Sequence, residues 1–256
     1  MYGLDDLILT QFFMWKKFDA RAKLKIKKKI VKPTIKGANN KKAIFFFPYW
    51  TGTSKLYQLF SRRFQDYTLV FYDYPKEIMS KDVNVSVKYN QQVLLDAFNL
   101  ILDLRKKEYD EITLIGSSSG SNFALKLATM IKVEKVVLNM LDRNMALGIF
   151  HSPALSILRK KLEKEGLNEQ NLDKIYAFLS TEYIIPKLTN TKAKILLFLS
   201  KNDIFCTLEE FKPVIKKLDS LGIDYRLNIN KFLGHILSIY KNIYLSNKIE
   251  RFIREK

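Results

Sequence analysis

The sequence predicts an α/β fold, with a mostly parallel central sheet, helices on both faces and a small helical insertion acting as a cap. Two observations carry that expectation. From about residue 43 onward, short apolar runs of strand length alternate with longer segments of helical apolar spacing, the pattern of a parallel sheet buried between two helical layers. The second is the pentapeptide Gly116-Ser117-Ser118-Ser119-Gly120. It sits between a strand-like run (Ile112, Leu114, Ile115) and a helix-like one (Phe123, Ala124, Leu127, Ala128, Ile131). At 256 residues, 47% of them hydrophobic, the chain is long enough to fill one large core, and it reads as a single domain over 1–256.

Taken in order, residues 4–18 (Leu4, Leu7, Ile8, Phe12, Phe13, Trp15) have the spacing of an amphipathic helix within an N-terminal segment 1–20. Its acids, Asp5 and Asp6, come before the apolar run and its lysines after it. That is the reverse of a signal peptide, and the run is too short to span a bilayer. The helix is expected to pack on the domain, with rest on a membrane interface as the alternative. Residues 21–36 alternate Leu24 and Ile26 with Lys23, Lys25 and Lys27, as an exposed edge strand or hairpin would. A buried strand follows at 43–48, then a helix at 53–65, a strand at 67–73 and a long helix at 86–107. Strand 111–117 leads into helix 119–131, and a strand at 135–141 ends the first run of alternation. Residues 142–190 break the pattern with two helix-like pieces, about 153–165 and 168–180, and form the expected cap. Their apolar residues Leu147, Ile149, Phe150, Tyr176 and Phe178 are candidates for lining a pocket or for filling the cap's own core. The alternation resumes with strand 194–200, helix 207–221, strand 225–231 and helix 236–253.

The serine pentapeptide has a chemical reading. A strand-to-helix turn this tight forces its apex residue to positive φ and brings strand and helix almost into contact, so glycine is needed on either side. The chain has only nine glycines, and two of them bracket Ser118. Such an apex holds Ser118 Oγ clear of the sheet and turns the N–H of Ser119, at the first turn of the helix, toward any oxyanion formed beside it.

A serine nucleophile needs a base, and the chain has only two histidines. His235, in Lys231-Phe232-Leu233-Gly234-His235-Ile236, follows the last strand and so belongs at the carboxyl edge of the sheet, where the turn also points. His151 lies in what looks like an irregular insertion and reads as an ordinary, partly exposed histidine. The acid that orients His235 is expected to be Asp203, which closes the run Ile195 to Asp203; Asp142, after strand 135–141, is the runner-up. Asp73, in Phe71-Tyr72-Asp73-Tyr74-Pro75, reads as a turn residue.

From about residue 41 to the end, the chain resembles the α/β-hydrolase superfamily, specifically its small esterase, lipase and cutinase-like members. The residues carrying the resemblance are Gly116-Ser117-Ser118-Ser119-Gly120, Lys201-Asn202-Asp203, Gly234-His235 and Ile44-Phe45-Phe46-Phe47-Pro48-Tyr49-Trp50-Thr51-Gly52. The chain order Ser, Asp, His is that of the family. In the family the last segment reads roughly His-Gly-x or Pro-Gly-x, and the N–H of x completes the oxyanion hole. By position that residue is Trp50, with Tyr49 standing where glycine is usual, so whether Tyr49 or Trp50 turns its N–H inward stays open. Tyr49 and Phe150 are the candidates for substrate contact. The implied activity is hydrolysis of carboxylic esters with an apolar acyl or alcohol part. The same residues also suit acyl transfer or thioester hydrolysis, and some members of the fold are catalytically silent binding proteins.

The remaining composition excludes other classes. A single cysteine, Cys206, forms no intramolecular disulfide, fits a reducing compartment and reads as a buried apolar residue. No Cys/His spacing suits a metal, and neither a phosphate loop nor a dinucleotide fingerprint is present, so no cofactor is expected. The net charge of +18 is concentrated at Lys16–Lys42, where Asp19 is the lone acid. A solvated lysine-rich surface accounts for it, with weak contact to anionic membrane as the alternative; nucleic acid is not expected, for no aromatic and glycine-rich RNA-binding signature accompanies it. A cytoplasmic protein acting on a small ester is the resulting expectation, with oligomeric state open.

Overall fold

The computed structural model describes residues 33–37, 40–50 and 53–255. The expected N-terminal helix and the lysine alternation of residues 22–31 lie outside them. Seven strands pair into one sheet among the described residues: β1 (Thr34–Lys36), β2 (Lys42–Phe47), β3 (Thr68–Phe71), β4 (Glu111–Ser117), β5 (Lys135–Asn139), β6 (Lys194–Ser200) and β7 (Tyr225–Asn230). Their order across the sheet is β1-β3-β2-β4-β5-β6-β7. Only β1 runs antiparallel, pairing Ile35 with Val70; the other neighbours are parallel. The ends of β2, β4, β5, β6 and β7 therefore emerge on one edge.

The period of two along each strand sorts the side chains between two cores. In β2, Ala43, Phe45 and Phe47 join Leu114, Val136, Leu197 and Phe123 on one face. Ile44 and Phe46 join Ile115, Val137, Phe198 and Ile243 on the other. Phe46 stacks on Phe71 and Phe47 on Tyr72, each at 4.9 Å between ring centroids. Both faces being buried explains why these strands read as continuous apolar runs.

The first face is covered by α2 (Val83–Lys106), α3 (Ser119–Ala128) and α8 (Leu208–Ser220), and the second by α1 (Lys55–Ser61), α9 (His235–Tyr240) and α10 (Lys248–Arg254). α2 begins three residues before the position expected from periodicity, because the Asp82 side chain accepts from the N–H groups of Asn84 and Val85. α8 opens on a reciprocal capping box between Thr207 and Glu210. Strand β5 stops at Asn139 rather than at 141, since Met140 takes a left-handed φ of 61°.

Two expectations are corrected here. The segment holding His151 is not irregular: Met145–His151 is a helix, α4, started by the Asn144 side chain, which accepts from Ala146 N–H at 2.9 Å. Seven residues are too few to reveal a helical period. The single helix expected at 236–253 is instead α9, a π-helical turn over Lys241–Leu245 and α10. The buried Asn139 amide donates to the Ile239 carbonyl at 3.3 Å and accepts from Asn242 at 2.8 Å, entering the helical ladder where it widens.

Between β5 and β6 lies the small helical cap: α4, then α5 (Ser156–Lys164), α6 (Glu169–Tyr176) and α7 (Thr181–Ile184). Its buried residues Ile149, Leu162, Leu172 and Tyr176 are continuous with the core beneath, and the Tyr176 hydroxyl donates to Ser86 Oγ on α2 at 2.6 Å. Leu147, Phe150 and Phe178 are only partly buried. Among the described residues no helix is long and apolar enough to cross a membrane.

Candidate active site

Ser118 stands at the end of β4 with φ 52° and ψ −125°, left-handed backbone that costs a side-chain-bearing residue of order 1–3 kcal/mol. Close packing holds it there. A Cβ on Gly116 would lie 2.3 Å from the Gly120 carbonyl oxygen, and one on Gly120 would lie 2.1 Å from the Phe47 oxygen and 2.5 Å from that of Pro48. The N–H of Ser118 donates to the Asn139 carbonyl at 2.8 Å, tying the turn to β5.

His235 and Asp203 meet Ser118 at this edge. His235 is the first residue of α9, directly after Gly234. Its Nε2 lies 2.9 Å from Ser118 Oγ, and its Nδ1 lies 2.6 Å from Asp203 Oδ2. The His235 and Asp203 side chains are 4% and 5% exposed, while Ser118 is half-buried. The other carboxylate oxygen of Asp203 accepts from the N–H groups of Phe205 at 2.8 Å and Cys206 at 3.3 Å, which fixes the plane of the carboxylate. The Phe205 ring meets the imidazole edge to face, with centroids 4.6 Å apart.

No protein-family model matches the chain, and no curated protein does. Solved structures match over most of its length. MenH from S. aureus is 15% identical, with 87% of this chain and 98% of that one covered at a TM-score of 0.57. A lipase-esterase related protein from Clostridium acetobutylicum is also 15% identical, covering 87% and 99% at 0.53. An esterase from Pyrococcus furiosus is 12% identical, covering 84% and 82% at 0.55. The chain has the α/β-hydrolase fold.

Within this α/β-hydrolase fold, the loop after β2 passes beside the serine turn, because Gly120 lets the Phe47 and Pro48 carbonyls approach α3. Ser119, as the first residue of α3, has an N–H without an acceptor inside the helix. Tyr49 is partly buried and hydrogen-bonds Tyr240; burial and that bond push its phenol above the usual tyrosine range. Trp50 is half-buried, with its indole N–H buried and unpartnered, and its ring borders a cavity of ≈ 10 Å³, room for about one water. Ile149, Leu158, Leu162, Leu172 and Tyr176 of the cap line that cavity opposite Trp50. Phe150 is outside the lining; its carbonyl accepts from Arg159 at 2.6 Å. Thr51 and Gly52, which close the segment compared with the family, are outside the described residues.

The other candidates fall elsewhere. Asp142 is not the partner of His235: its carboxyl lies against Gly148, and burial, then the charge of Asp203, pushes it up to about 8. His151 is exposed and lies 2.8 Å from Glu169 Oε2. Asp73 accepts from the N–H and hydroxyl of Ser54 at 2.6 and 3.0 Å, a turn-fixing role. Cys206 is only partly buried, and burial raises its thiol pKa, which suppresses the thiolate. Among the described residues no group of three or more His, Cys, Asp or Glu side chains is placed to hold a metal.

Sequence reading missed the support beneath the turn. Ser117 Oγ lies 2.7 Å from the Tyr57 hydroxyl and 3.4 Å from the Asn139 amide, and Asn139 bonds on to Ile239 and Asn242. The one available signal was Asn139 itself, a polar residue closing the apolar run Val136-Val137-Leu138.

Proposed function

We propose that the protein is a serine hydrolase that cleaves carboxylic esters with an apolar acyl or alcohol part. The observation that carries the reading is the continuous hydrogen-bonded chain from Ser118 Oγ through His235 to Asp203. His235 Nε2 takes the Ser118 proton as Oγ bonds to the ester carbonyl carbon. Asp203 keeps the Nδ1 proton in place and stabilises the imidazolium. The N–H groups of Ser119 and Trp50 receive the oxyanion. When it collapses, the ester C–O bond breaks and His235 gives its proton to the departing alcohol, leaving an acyl group on Ser118. Water, deprotonated by the same imidazole, then releases the acid and restores the serine.

Several matched structures described as esterases, or as lipase- and esterase-related, support an activity of this class. The single cysteine supports a reducing, cytoplasmic setting. A fluorophosphonate probe is expected to label the wild type and not Ser118→Ala. A series of p-nitrophenyl acyl esters should be hydrolysed by the wild type, with His235→Ala reduced by orders of magnitude. Equal labelling of the wild type and Ser118→Ala would sink the assignment.

A further inference from the structure

The edge that carries His235 is apolar on its outside. Phe232 is 85% exposed, Leu237 62% and Ile204 55%, and Ile236 and Tyr240 are exposed beside them. These residues belong to two segments packed on each other. The turn after β6 and the loop after β7 are joined by Lys201 N–H to the Asn230 carbonyl at 2.8 Å and by the Asn202 amide to the Phe232 carbonyl at 3.3 Å. α9 continues the surface: His235, Ser238 and Ile239 face inward, while Ile236, Leu237 and Tyr240 face out. Several large apolar side chains gathered on one face are unlike the scattered exposed leucines of an ordinary surface.

The charge around this face has one sign along the chain that builds most of it. From Tyr225 to Ile249 the sequence contains Arg226, Lys231, Lys241 and Lys248 and no Asp or Glu. Lys201, Lys231 and Lys241 are exposed and have no carboxylate partner among the described residues. Tyr240 stacks on Tyr244 at 5.9 Å and hydrogen-bonds Tyr49, so the outward side of α9 also carries amphipathic rings. Exposed apolar and tyrosine side chains accompanied by unpaired lysines match a bilayer interface with anionic headgroups.

We infer that the face formed by Ile204, Phe232, Ile236, Leu237 and Tyr240 docks on an anionic lipid surface, with Lys201, Lys231 and Lys241 against the headgroups. This placement sets the edge holding Ser118 and His235 toward the lipid. It is independent of the ester chemistry and distinct from any contribution of the basic residues at Lys16–Lys42.

Flotation of the full-length protein with vesicles of phosphatidylcholine, alone or mixed with phosphatidylglycerol, tests it. The wild type and Ser118→Ala should both float with the mixed vesicles, and added salt should release them. The double variant Phe232→Ser/Leu237→Ser, whose side chains are exposed and whose fold should be undisturbed, should lose at least about tenfold in partitioning. Lys231→Gln/Lys241→Gln should weaken the preference for phosphatidylglycerol, and an unchanged preference would remove these lysines from the proposed contact. A wild type that does not float, or a Phe232→Ser/Leu237→Ser variant that floats as well as the wild type, overturns the inference. So does a wild-type dimer that this double variant splits into monomers, since a second copy of the chain would then cover the face.

Discussion

Replacing Asp203 by Asn tests how the imidazole is oriented. Asp203 Oδ1 accepts two backbone N–H groups, from Phe205 at 2.8 Å and Cys206 at 3.3 Å, and Oδ2 faces His235 Nδ1 at 2.6 Å. An asparagine keeps the two backbone bonds only with its carbonyl oxygen at the Oδ1 position, which turns its NH2 group toward Nδ1. His235 must then accept at Nδ1 and carry its proton on Nε2, 2.9 Å from Ser118 Oγ, where a proton acceptor is required. The wrong tautomer is expected to cost about 10⁴ in kcat, roughly 5 kcal/mol of barrier. Because the backbone bonds survive, Tm should stay close to that of the wild type, whereas Asp203→Ala removes them and should lower Tm as well as kcat. The assay is p-nitrophenyl ester turnover beside thermal unfolding of both variants. Turnover by Asp203→Asn within tenfold of the wild type would refute the orienting role. Loss of turnover in Asp142→Asn instead would move the role to that residue.

Three further perturbations follow from the packing. Gly120→Ala drives a Cβ to 2.1 Å from the Phe47 oxygen, so the loop after β2 must retreat; a loss of about 10² in kcat is expected, and unchanged turnover would show that this loop takes no part. Asn139→Ala leaves Asn242 and the Ile239 carbonyl without their buried partner; a loss of ~2–4 kcal/mol in denaturant unfolding is expected, and a loss below ~0.5 kcal/mol would mean that water replaces the amide. Asp142, held up at about 8, keeps in the folded state a proton that the unfolded chain loses near 3.8. Stability from this group is therefore full below about pH 4 and lost as pH rises through 8, so Asp142→Asn should raise Tm more at pH 9 than at pH 5; the same gap at both would contradict the shift.

The sheet was legible because its strands are buried on both faces and its helices are long enough to show their period. What escaped was short or cooperative. Helix Met145–His151 is only seven residues long and is declared by one cap, Asn144, that periodicity does not see. The division of the last helix depends on Asn139, a hundred residues earlier in the chain, and no local window reports it. Within the candidate site, Ser118 stood out by its glycines and His235 by the scarcity of histidine. Asp203 was separable from Asp142 only by strand position, and the structure distinguishes them by which carboxylate meets Nδ1. Phe205 and Tyr57 gave no advance sign, because a ring that braces an imidazole and a ring that fills a core look alike in sequence.

Ser118 and His235 are 117 residues apart, so at a synthesis rate of about 5–20 residues per second the ribosome completes the serine turn roughly 6–23 s before it adds the imidazole. Strands β2 to β5 are all made before the last helices, so a nascent chain holds the serine for that interval while its base has yet to be translated. Chains stalled or truncated before the final segment would carry Ser118 with neither its imidazole nor the Ile239 and Asn242 partners of Asn139 beneath the turn, so base and support arrive together.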